Sequence, residues 1–101
     1  MKNRLEFFGS ISGITDPRMV IIFYDQFLVL YHLFGQRSDI SISIDTYSDT
    51  AIRFSVLFST AKDKKEILTQ VPSGNVVIYG KPISVFIQDA SVRQLVVEIS
   101  R

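Results

Sequence analysis

The sequence predicts one small α+β domain in which strands outnumber helices, and three observations carry that expectation. The aliphatic residues lean towards side chains branched at Cβ, with 13 Ile and 10 Val against 7 Leu and 3 Ala, which pack well on a pleated sheet. Ile40-Ser41-Ile42-Ser43-Ile44-Asp45 alternates apolar with polar residues, and Ile52-Arg53-Phe54-Ser55-Val56-Leu57-Phe58 nearly does, the period of a half-buried strand. Met19 to Phe34, by contrast, holds 13 apolar residues in 16, a long run whose start and stop signals are those of a helix.

Taken in order, Leu5 to Ile11 is expected as a first strand, with Leu5, Phe7 and Ile11 on one side. Thr15-Asp16-Pro17 supplies a capping side chain followed by proline in the first turn, opening a helix that runs to Phe34. Gly35 is expected to close it as a left-handed cap. The two alternating strands follow, joined by a three-residue loop, Ser48-Asp49-Thr50. That register sets Ile44 opposite Phe54, Ile42 opposite Val56 and Ile40 opposite Phe58, and pairs Asp45 with Arg53 across the strands.

A second helix of roughly 10 residues is expected from Thr60, capped by its hydroxyl with Asp63 three residues on, and it ends by Pro72. Val76 to Tyr79, Ile83 to Gln88 and Val92 to Ser100 supply the remaining strands, separated by Gly80-Lys81-Pro82 and by Asp89-Ala90-Ser91. The first six elements then have the order of a ferredoxin-like βαββαβ unit, an antiparallel sheet with two helices on one face, followed by two extra C-terminal strands. Many unrelated activities share that element order, so it selects no function.

Composition removes several classes. With 101 residues the chain is one domain, 1–101, and 47% apolar against 21% charged residues excludes disorder and low complexity. There is no Cys, hence no disulfide, thiolate metal site or thiol nucleophile, which suits a reducing compartment. The N-terminus lacks the apolar run and processing pattern of a signal peptide, so a cytoplasmic location is expected. A formal net charge of +1 advertises no nucleic acid or membrane partner. The Met19 to Phe34 run is shorter than a membrane span and polar at its centre.

Projected at about 100 degrees per residue, the first helix places Val20, Phe23, Phe27, Leu30 and Phe34 on the face that meets the sheet. Arg18, Asp25 and His32 form a narrow polar stripe on the opposite side, bordered by Ile21 and Leu28 on one flank and Ile22 and Val29 on the other. Those four apolar residues need a cover, either from the chain itself or from a partner; a twofold homodimer is the expectation, with Arg18 and Asp25 placed to pair between subunits.

Chemistry is thin. One His, no Cys and scattered carboxylates assemble no metal site, and Asp25 and His32 stand too far apart for a catalytic dyad. Gly80-Lys81 lacks the rest of a phosphate loop. Lys62, Lys64 and Lys65 read as a solvated helix face, and Ser41, Ser43, Asp45 and Ser55 as the solvent side of the sheet. The loop from Gly9 to Asp16 leads into a helix N-terminus, so Ser10, Ser12, Gly13 and Thr15 are the candidate contacts for a small anion.

The expectation is therefore a non-enzymatic protein-interaction or regulatory module without metal or cofactor, partnered by a second copy or another protein. Its interface is Arg18, Ile21, Ile22, Asp25, Leu28, Val29 and His32. The competing reading is a small-ligand sensor using the 9–16 loop.

Overall fold

The computed structural model describes residues 3–37, 39–71, 73–78 and 80–101. The N-terminal segment is not a strand. Arg4–Gly9 is a helix, α1, capped by the Asn3 side chain, which accepts from the Glu6 N–H at 2.9 Å. Asn3 followed three residues later by Glu6 is a helix-start signal, and it prevails over the apparent alternation. Phe7 and Phe8, adjacent in sequence, are both buried while Leu5 is exposed, which is not the alternation of a half-buried strand.

The long apolar run is two helices, α2 (Arg18–Ile22) and α3 (Tyr24–Phe34), broken at Phe23 with φ −104° and ψ 29°. The start signal works through Asp16, whose carboxylate accepts from the Arg18 N–H at 2.9 Å. Gly35 closes α3 in the right-handed region, φ −67°, so the expected left-handed cap is absent. Space explains the glycine instead: a Cβ there would collide with the Tyr31 carbonyl and ring.

The sheet begins with β1 (Ile40–Tyr47) and β2 (Ala51–Phe58), and the connection is the expected Ser48-Asp49-Thr50. Ile40 faces Phe58, Ile42 faces Val56 and Ile44 faces Phe54, as the alternation requires. Beyond Ile44 the strand bulges, so Asp45 loses its partner and Thr46 faces Arg53. An extra residue in one strand shifts every later pair by one. Arg53 bonds Glu98 on another strand instead, at 2.8 Å.

Helix α4 (Ala61–Gln70) follows, with the Thr60 hydroxyl accepting from the Asp63 N–H at 3.1 Å as anticipated. Strands β3 (Gly74–Ile78), β4 (Lys81–Ser91) and β5 (Gln94–Ser100) complete the sheet. Strand β4 runs through Asp89-Ala90-Ser91, which reads as a turn in the sequence, and the reversal falls at Val92-Arg93. Lys81 and Pro82 likewise belong to β4. Pro72 and Tyr79, expected to stop α4 and to close β3, lie outside the described residues.

Among the described residues the fold is α+β, four helices and a five-stranded antiparallel sheet in the order β1-β2-β5-β4-β3. With α1 in place of the first strand and two helices, α2 and α3, in place of one, the element order is αααββαβββ and the ferredoxin-like expectation gives way. Alternate residues of the central strands, including Phe54, Val56, Leu95 and Val97, form one buried cluster with Phe27, Leu30 and Phe34 of α3 and Ile67 of α4. Phe27 is edge-on both to Phe8 of α1, at 5.5 Å, and to Phe54 of β2, at 5.4 Å. That stack ties the N-terminal helix through α3 to the sheet and leaves the sheet's other face open.

Candidate contact surface

The break at Phe23 decides what α2 exposes. Phe23 turns inward and is buried, while its neighbours Ile21 and Ile22 stand 75% and 55% exposed. Phe23 packs edge-on against Tyr47 at the end of β1, with ring centroids 5.7 Å apart, and Tyr47 is itself exposed. Between them lies an open cleft of about 290 Å³ lined by Ile22, Phe23, Tyr47, Ser48 and Asp49. The Arg101 guanidinium donates to the carbonyls of Ile22 and Asp49, at 3.3 and 3.1 Å, bracing the helix break against the hairpin loop. The result is an apolar ridge, Ile21 and Ile22, beside a concave wall.

The rest of the expected interface is not brought together. Leu28 and Val29 are 8% and 1% exposed, buried within the chain itself. Docking of α1 on α3, with Phe7 against Tyr31 at 5.4 Å and Phe8 against Phe27, supplies helix surface that a first strand would not have offered. Arg18 pairs with Asp16 of its own chain at 2.9 Å, and Asp25 with Lys81 at 2.9 Å, so neither waits for a second subunit. His32 is on the exposed side of α3. The surface contracts to Ile21 and Ile22, to which the structure adds Tyr24 and Tyr47.

The 9–16 loop is stitched to the sheet. The Ser12 N–H donates to the Ile42 carbonyl at 3.1 Å and the Ile44 N–H donates to the Ser12 carbonyl at 3.0 Å, a parallel bridge on the edge of β1. Gly13, at φ +95°, lets the chain pass so close to Ile44 that a Cβ would lie 3.3 Å from the isoleucine Cβ. The Ser10 hydroxyl donates to the Phe7 carbonyl at 2.7 Å, and Thr15 is exposed. At the start of α2 the Asp16 carboxylate accepts from the Arg18 N–H, and the Met19 and Val20 N–H groups donate to the Asp16 and Pro17 carbonyls. The same contact with Arg18, first through the side chain and then through the backbone N–H, holds the Asp16 carboxyl below its ordinary value.

Two expectations about charge change as well. Lys64 is not part of a solvated face: it is buried, and its ammonium meets Asp89 at 2.5 Å and the Ser91 carbonyl at 2.7 Å. On the open face of the sheet, Ser41, Ser43 and Ser55 lie where the alternation places them, with the Arg53–Glu98 ion pair beside them. Among the described residues no three His, Cys, Asp or Glu side chains are grouped to hold a metal ion, and no helix is long and apolar enough to cross a membrane. Comparison of the chain with protein-family models, with curated proteins and with solved structures found no match.

Proposed function

We propose that the chain is a non-enzymatic protein-interaction module, working in the cytoplasm and acting as a homodimer through the outer edge of the first apolar helix run, now Ile21 and Ile22 on α2. One observation carries the reading: two adjacent isoleucines, 75% and 55% exposed, stand beside a cleft of about 290 Å³ walled by Phe23 and Tyr47. A contiguous apolar patch is a mark of contact surfaces. A second copy is the partner that this shape favours, because a twofold contact lets Ile21 of each subunit enter the cleft of the other. Burial of two such side chains on each of two subunits supplies at most roughly 6 to 12 kcal/mol of gross hydrophobic stabilisation before association costs are met, so a weak dimer is expected.

Sedimentation equilibrium in the tens of micromolar tests it with Ile21→Glu. The position is exposed enough to carry a charge in the monomer, whereas a carboxylate buried in the contact lacks a partner. A two-chain wild type that the substitution dissociates is the expected outcome; a wild-type monomer, or a dimer indifferent to the charge, overturns the reading.

A further inference from the structure

The two edges of the sheet are finished differently. Along β1 the chain's own 9–16 segment bonds the outer backbone, with the Ser12 N–H donating to the Ile42 carbonyl and the Ile44 N–H to the Ser12 carbonyl. Along β3, the other edge, no described residue bonds the outer backbone. The strand, Gly74-Asn75-Val76-Val77-Ile78, holds no charge and no proline, and its register with β4 runs without a bulge. It therefore lacks the devices by which sheet edges keep from pairing with one another.

Which of its backbone groups point outward follows from Pro82. Opposite residues of an antiparallel pair alternate between exchanging two hydrogen bonds and exchanging none. Val77 faces Pro82, which has no N–H to give, so that pair exchanges none. Two residues away, Asn75 and Ser84 exchange none either. The ladder as a whole has the same parity: Ile44 points its N–H out of β1 to Ser12, and alternation across β2, β5 and β4 brings the outward groups of β3 to Asn75 and Val77. The N–H and C=O of these two residues are all directed away from β4.

We infer that β3 is a contact edge that pairs antiparallel with β3 of a second copy, joining two five-stranded sheets into one. The pattern is self-complementary. A twofold axis beside Val76 sets Asn75 opposite the partner's Val77 and Val77 opposite the partner's Asn75, so every outward N–H and C=O on both chains is bonded. Val76 then meets the partner's Val76 at the closely spaced position, a favourable pairing of β-branched side chains. A slip of two residues would leave Val77 beyond the end of the partner's strand. The uncharged sequence selects the same occupant. About this axis each of the three central side chains lies opposite or diagonal to its own copy, within roughly 7 to 8 Å, where a charge would meet a like charge; residues 75 to 77 carry none.

This edge shares no residue with the helix contact and works through backbone rather than apolar side chains. Amide hydrogen exchange resolved by residue tests it, at hundreds of micromolar and at low micromolar protein, in wild type and in Ile21→Glu. The Asn75 and Val77 amides are expected to exchange at least about tenfold more slowly at the higher concentration in both proteins. Val77→Pro removes one outward donor and no bond inside the chain, a position where an edge strand accepts proline, and is expected to abolish the slowing at Asn75; circular dichroism shows that the variant is folded. Val77→Lys, at a side chain 72% exposed, sets two ammonium groups diagonal to each other and is expected to do the same without backbone strain. Rapid exchange of both amides at every concentration overturns the edge contact and leaves the helix reading standing. Slow exchange indifferent to concentration, which means that the chain covers its own edge, overturns it as well. Slowing in wild type that Ile21→Glu abolishes assigns the association to the helices and also overturns the edge contact. Slowing that survives Ile21→Glu, with no change in sedimentation between the two proteins, supports the edge contact and overturns the helix reading.

Discussion

Lys64 on α4 reaches the far hairpin and places its ammonium 2.5 Å from the Asp89 carboxylate, with the Ser91 carbonyl as a second acceptor at 2.7 Å. The two partners differ in their surroundings: the lysine side chain is buried while the aspartate is 60% exposed. Removing either one therefore has unequal consequences. Asp89→Ala leaves a buried ammonium with one neutral acceptor and is expected to cost about 2 to 3 kcal/mol. Lys64→Met keeps the buried stem and leaves a carboxylate in water, at a cost of less than about 1 kcal/mol. Urea unfolding of the two variants measures the difference, and equal losses would show that the contact is only a surface pair.

The β1–β2 hairpin makes a similar contrast between its two faces. Phe54 is fully buried beneath Phe27, so Phe54→Ala is expected to lower stability by about 3 to 5 kcal/mol. Arg53, one residue away on the open face, bonds Glu98 in a half-exposed pair, and its loss is expected to leave the stability of the monomer almost unchanged. Asp45 has no partner in the ladder because it sits in the bulge, so Asp45→Ala should be close to neutral. A loss at Asp45 comparable to that at Phe54 would mean that the bulge is absent.

How much of this was legible in the sequence depends on what sets each feature. The Ile40–Ile44 and Phe54–Phe58 pairing was, because a one-residue slip would turn every apolar side chain of the hairpin outward. The bulge at Asp45 is marked only weakly: the apolar phase passes from the even positions Ile40, Ile42 and Ile44 to the odd position Tyr47, which faces Ile52. Helix α1 had a readable signal in Asn3 and Glu6, but Leu5, Phe7 and Ile11 mimicked alternation. The break at Phe23 left no mark, because the apolar run continues on both sides of it without Gly or Pro. That break is what leaves Ile21 and Ile22 outside, while the docking of α1 on α3 accompanies the burial of Leu28 and Val29. Half of the expected interface was therefore decided by elements whose nature the periodicity concealed.

Acid is expected to weaken the fold through aspartates held by arginines. The side-chain hydrogen bond from Arg37 holds the Asp39 carboxyl below its ordinary value of 3.8, and Arg18 does the same for Asp16. A carboxyl depressed in the folded state contributes its stability above the unfolded value, and the contribution disappears as pH falls through the folded one. The window therefore lies below about pH 4, with little change between pH 5 and 8 from these groups. Both pairs are exposed enough for salt to screen them. Urea midpoints at pH 5 and pH 3 in wild type and Arg37→Gln check it: the variant should lose less on acidification. An identical loss would assign the acid sensitivity elsewhere.

Two glycines should respond to alanine with opposite signs. Gly9 is the last residue of α1, and a Cβ there meets nothing within 4 Å. In a helical conformation alanine restricts the unfolded chain more than the folded one, so Gly9→Ala is expected to stabilise by about 0.5 kcal/mol. Gly35 also has right-handed angles, φ −67° and ψ −15°, and backbone preference alone would predict the same gain. Contact reverses it. The Gly35 N–H donates to the Tyr31 carbonyl at 2.6 Å, and a Cβ at residue 35 would overlap that carbonyl and the tyrosine ring. Tyr31 is held in turn by Phe7 of α1, so the ring cannot swing away without loosening the helix pair. Gly35→Ala is expected to destabilise by about 1 to 3 kcal/mol, the range of an overpacked site, and a thermal melt shows the sign directly. A stabilised Gly35→Ala protein would mean that α3 ends more loosely than its contact with Tyr31 implies.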